Sequence, residues 1–169
     1  MSATQIIPKD QIAFVDVWPG RGKAWEADIR QLWDTHREAR EIGSVDKRID
    51  SAVMILVAAG RVVGLSTAYA RQVGLLNHNW LYEFRIFIAP HARQPGLDAK
   101  LIQESVSILE QSAQTDPHKP IGVLAQLQNE KLMQSPSATP ILRLAPFYLI
   151  GYTSKGYPIR VLYFDGASI

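Results

Sequence analysis

A single α+β domain over residues 1–169, with a mixed, mostly antiparallel sheet flanked by helices, is what this sequence predicts. Three observations carry the prediction. Segments of strand and helix character follow one another as β, α, a β meander, a β–loop–α unit, β, α and β. The turn Ala59-Gly60-Arg61 lies between two apolar β-forming runs and is the best hairpin signal in the chain. Finally, residues 86–101 pass from an apolar strand through Pro90, Arg93 and Gly96 into an amphipathic helix.

The elements follow in order. Ile12 to Trp18 alternates, is rich in β-formers and ends at Pro19-Gly20, so it reads as a first strand. Trp25, Ile29, Leu32, Trp33 and His36 recur at helical spacing through residues 23–42, with Gly43 as the stop. Residues 46–50 read as a polar loop. Residues 53–58 and 62–73 are the two strands of the hairpin, and 80–88 is a further strand beyond the turn-prone Leu76-Asn77-His78-Asn79. After the loop, Ala99, Ile102, Val106, Leu109 and Ala113 form one helical stripe that ends before Pro117. Residues 121–127 read as a short strand and 128–140 as an irregular or partly helical connection. Residues 141–149 read as a helix that Pro146 must kink, and 160–164 as a closing strand.

Bulk composition narrows the function classes. The chain carries 47% hydrophobic and 20% charged residues, a globular balance. Its 18 Lys+Arg against 16 Asp+Glu leave a net charge of +2, with no basic run to recruit nucleic acid. With no cysteine there is no disulfide, thiolate metal site or cysteine nucleophile. The four histidines, His36, His78, His91 and His118, lack metal-ligand spacing. Only a scrap of apolar sequence precedes Pro8, Lys9 and Asp10, and no apolar run approaches ~18 residues, so neither a signal peptide nor a membrane span is expected. A cytoplasmic location is the expectation.

The strand–loop–helix junction holds the chemistry. A helix start presents unpaired N–H groups and a positive dipole end, and a glycine lets backbone approach a ligand closely. The spacing aliphatic-x-Pro-x-x-Arg-x-x-Gly, met by Ile88, Pro90, Arg93 and Gly96, resembles the coenzyme A pyrophosphate loop of the GNAT superfamily of N-acetyltransferases. The element order on both sides is similar to that fold as well. The resemblance implies acetyl-CoA as co-substrate and an unidentified primary amine as acceptor. It implies that backbone near Phe87 and Ile88 pairs with the pantetheine arm. Arg93, Gln94, Gly96, Leu97, Asp98 and Ala99 would then hold the pyrophosphate. Two residues depart from the family pattern. Asp98 stands where Gly or Ala is usual and places a carboxylate beside an anion site, and Pro95 has no N–H to donate.

Acetyl transfer to an ammonium needs a proton acceptor and a donor for the leaving thiolate. Glu83, on the strand feeding the loop, matches the position of a catalytic glutamate in several family members. Desolvation between Tyr82 and Phe84 would raise its pKa toward a useful range. The alternative is a Glu83 paired with Arg85 or another cation. The family's acid is a Tyr four residues before a Gly-aromatic pair; before Gly151-Tyr152 that position is Phe147, with Tyr148 one step later, so Tyr148 is the candidate. Leu32, His36 and Glu38 match a pattern in some phage-encoded members. A second class stays open beside the enzyme, a catalytically inactive, phage-related structural or interaction protein of this fold that has lost efficient coenzyme A binding. Tyr152, Tyr157 and Tyr163 are available in either case for a homodimer surface.

Overall fold

A computed structural model describes residues 7–41, 43–126 and 147–169. Seven strands form one mixed sheet in the order β1-β2-β3-β4-β5-β7-β6. They are β1 (Ile12–Asp16), β2 (Ala52–Ala58), β3 (Arg61–Val73), β4 (Asn79–Ile88), β5 (Gly122–Gln126), β6 (Tyr148–Tyr152) and β7 (Pro158–Tyr163). The helices are α1 (Glu26–Thr35), α2 (Arg37–Glu41), α3 (Val45–Asp50) and α4 (Leu97–Ala113). The pairs β1–β2, β2–β3, β5–β7 and β6–β7 are antiparallel, and β4–β5 is parallel. Packing divides the chain into two compact units, Met1–Ala68 with Ile86–Ser105 and Tyr69–Arg85 with Val106–Ile169.

In the first unit, β2 and β3 meet at a two-residue turn in which Ala59 (φ 48°) and Gly60 (φ 73°) are both left-handed, the conformation that follows the twist of a hairpin. α1 turns Ile29, Leu32 and Trp33 onto Val17, Ile49, Ala52, Ile55, Val62 and Leu65. Each of the valine, leucine and isoleucine side chains contributes roughly 1.5–3 kcal/mol by leaving water. Gly64 lets β3 lie close to β4, because a Cβ there would meet the Phe87 carbonyl oxygen at 2.9 Å.

In the second unit, Val73, Leu81, Leu124 and Val161 form the core with Ile121, Ile150 and Ile159 packed against it. Gly122 allows β5 and β7 to close, since a Cβ there would lie 2.2 Å from the Leu162 carbonyl oxygen. Strand alternation sends Tyr82 away from Glu83, and its hydroxyl donates to Asp116 Oδ2 at 2.8 Å.

Three elements differ from the sequence reading. The helix expected over residues 23–42 is a 3₁₀ turn, Arg21–Trp25, then α1 and α2. They are parted by His36, whose backbone is extended at φ −118°, ψ 111°. Thr35 Oγ1 donates back to the Gln31 carbonyl at 2.7 Å at this break. Residues 46–50, expected as a loop, belong to α3, because Ile49 and the long side chain of Arg48 turn inward. Tyr148 and Leu149, expected to end a helix, lie on β6, where they pair with Val161 and Arg160. The rest of that expected helix and the connection over 128–140 lie outside the described residues.

Candidate functional site

The junction of β4 and α4 lies within the first unit. Gly96, at φ 80°, adopts a left-handed conformation just before the first residue of α4. Leu97 N–H donates to the Gln94 carbonyl at 3.2 Å and Lys100 N–H to that of Gly96 at 3.1 Å. The N–H groups of Gly96 and Asp98 have no partner among the described residues. Two amides are therefore unpaired at a positive helix end.

The side chains complicate this cradle. Asp98 Oδ1 accepts from Ala99 N–H at 2.8 Å, so the carboxylate occupies an amide that a phosphate would use. Arg93 is tied down: its Nε donates to the Ile88 carbonyl at 2.9 Å and Nη2 to Glu38 Oε2 at 2.8 Å. The guanidinium thus clips the loop to the end of β4, and Ile88 spends its carbonyl on that clip. Gln94 Nε2 donates to the Ile7 carbonyl at 3.1 Å. Lys9, a residue the sequence reading passed over, donates through Nζ to the Pro95 carbonyl, and that ammonium lies 3.7 Å from where a Gly96 Cβ would stand. It brings a positive charge to the loop from 86 residues away. Phe87 and Ile88 are both buried.

Glu83 lies in the second unit and is 6% exposed. Arg71 Nε contacts its Oε2 at 2.5 Å and Arg85 Nη2 its Oε1 at 3.1 Å. The Tyr69 hydroxyl donates to the same carboxylate. Burial pushes the carboxyl up; hydrogen bonds from Arg85 and Tyr69, with the charges of Arg71 and Arg85, outweigh it and hold Glu83 below its ordinary value. This corrects the expectation of a raised pKa. The neighbours that count are cations on the same sheet face, and Tyr82 points to the other face. Burial and the anionic Glu83 together raise the Tyr69 phenol.

His36 packs its ring 5.7 Å from that of Phe87 and stacks at 6.1 Å on His91. A cavity of about 180 Å³ opens beside it, lined by Asp28, Gln31, Thr35, Arg61 and His91 among others. Burial lowers the His36 pKa, His91 and Arg93 add to the effect and Glu38 opposes it. Because the folded value lies below the unfolded one, the neutral ring contributes stability at pH above 6.5 that is lost as pH falls from there through the folded pKa. An NMR titration of the His36 imidazole is expected to give a midpoint below 6.5; a midpoint at or above it contradicts this packing. Tyr148 is 60% exposed on β6, while its neighbour Phe147 is buried.

No family sequence model matches the chain, and no curated protein matches it by sequence. Solved structures do match. The Salmonella typhimurium protein yncA, solved with its cofactor acetyl-CoA, superposes with a TM-score of 0.60 at 11% identity over 94% of this chain and 97% of that one. A GNAT superfamily phosphinothricin acetyltransferase from Sinorhizobium meliloti, in complex with acetyl-CoA, gives 0.58 at 17% identity over 94% and 92%. Arabidopsis thaliana NAA60 with a bisubstrate analogue gives 0.57 at 15% identity over 92% and 99%. The chain has the GNAT fold. Among the described residues no helix is long and apolar enough to cross a membrane, and no cluster of three or more His, Asp or Glu could hold a metal ion.

Proposed function

We propose that the chain is an acetyl-CoA-dependent N-acetyltransferase acting on a primary amine. The observation that carries this reading is the left-handed Gly96 between Arg93 and α4, with the Gly96 and Asp98 amides unpaired, in a GNAT-fold chain. The loop backbone from Arg93 to Ala99, including Gln94 and Leu97, would hold the pyrophosphate, and the backbone at Phe87 and Ile88 the pantetheine arm. Acetyl-CoA supplies the acetyl group as a thioester; the amine forms the new C–N bond as the C–S bond breaks. Glu83 is the assigned proton acceptor, reached through water because its oxygens are engaged. Tyr148 is assigned to reprotonate the thiolate, a task that solvent can share.

A second reading is favoured by one observation. The Asp98 carboxylate already caps Ala99 N–H, and Arg93 is committed to Ile88 and Glu38, as in a chain that keeps the fold without the cofactor. Thiol release from acetyl-CoA, measured with a panel of primary amines, separates the two. Amine-dependent release supports the enzyme. Acetyl-CoA binding without release from any amine leaves a sensor, and no binding leaves the structural protein.

A further inference from the structure

We infer that the acceptor is a small amine that also carries a carboxylate, an amino acid rather than a polycation. This rests on the acetyltransferase reading above. Arg71, Glu83 and Arg85 alternate in charge along one face of the second unit and sum to +1. Glu83 is saturated, so the ligand sees mainly the two cations. Arg71 is open to solvent, its side chain 39% exposed, and its only ion pair among the described residues uses Nε. Its terminal nitrogens are thus left in the fork geometry that fits a carboxylate. Arg85, held through Nη2 on Glu83 Oε1 at 3.1 Å, adds a second positive charge beside it. The Tyr69 hydroxyl, which spends its proton on Glu83, keeps an oxygen lone pair, and the residue is 43% exposed. It is an acceptor for an ammonium. Anion holders and an ammonium acceptor on neighbouring residues match the two ends of a zwitterion. A spermidine-like ligand would bring only positive charge to a face that already has an excess of it.

The test compares acetyl transfer to each of the twenty L-amino acids with transfer to its C-terminal amide, with spermidine alongside. The acids are expected to exceed amides and spermidine in kcat/KM by about tenfold or more, the worth of one charge-assisted hydrogen bond. Arg71→Ala also removes a cation from Glu83 and so changes kcat for both series alike; it is expected to raise the ratio of acid KM to amide KM by a similar factor, and to be partly rescued by Arg71→Lys. Equal or better use of amides or spermidine, or an Arg71→Ala rise in KM of the same size in both series, overturns the inference. A readout free of turnover separates its failure from that of the acetyltransferase reading. The Nε–H resonances of Arg71 and Arg85 should shift on adding L-leucine but not L-leucinamide. No shift with L-leucine or any other of the twenty amino acids overturns the inference whether or not the chain turns over acetyl-CoA.

Discussion

Glu83→Ala is expected to destabilise the chain by about 3 kcal/mol, because it strands two arginines around a vacated buried site. The figure is at the low end for broken buried pairs, since Arg71 reaches solvent. For a chain of this size the melting temperature should fall by roughly 6–12 °C. Glu83→Gln should cost less, as its carbonyl still accepts from one guanidinium. The effect has a pH signature. The folded-state carboxyl titrates below its unfolded value, so the pairing contributes fully above the ordinary carboxylate pKa of 4.5 and is lost as pH falls through the folded value. Urea denaturation at neutral pH and again near pH 3 should therefore show the gap between wild type and Glu83→Gln narrowing in acid. A neutral-pH cost below about 1 kcal/mol would place Glu83 among ordinary surface pairs and contradict the buried geometry.

The second large effect is expected at the loop. Asp98→Gly removes a carboxylate from the first turn of α4 and returns Ala99 N–H to the cradle. Acetyl-CoA affinity should rise by about tenfold, equivalent to about 1.4 kcal/mol, a modest fraction of the Coulomb repulsion between a carboxylate and a nearby pyrophosphate. Stability should move the other way, by about 1 kcal/mol, since an acidic residue suits a helix start and glycine does not. Asp98→Asn divides charge from hydrogen bonding, because the amide oxygen can still cap Ala99. Calorimetric titration with acetyl-CoA should rank glycine above asparagine above wild type. Equal affinities across the three would show that the carboxylate does not face the cofactor.

Much of the fold was legible because its signals are local. The Ala59-Gly60 turn demanded two left-handed residues, and the proline, arginine and glycine of the β4–α4 loop announce themselves by spacing alone. The stripe on α4 follows from its period. What escaped depends on contacts distant in sequence. Arg71 and Glu83 are 12 apart and meet only once β3 and β4 are aligned, so the pairing with Arg85 could be foreseen but the second cation could not. That second cation helped reverse the direction of the expected pKa shift. Lys9 reaches the loop across a separation of 86 residues in the sequence. α3 went unseen because only Val45 and Ile49 mark its inner face, and β6 because Pro146 and Gly151 obscure both periods. In the loop, the motif foretold where backbone would turn, while the commitment of Arg93 to Ile88 and Glu38 is a tertiary choice with no local sign.

The measurement closest to the central claim is the NMR response of the backbone amides of residues 93, 94 and 96–99 to acetyl-CoA in the wild-type chain. The acetyltransferase reading predicts saturable shifts, largest at Gly96 and Asp98, whose N–H groups lack partners among the described residues. Amides across this loop that stay unmoved at millimolar acetyl-CoA would contradict it.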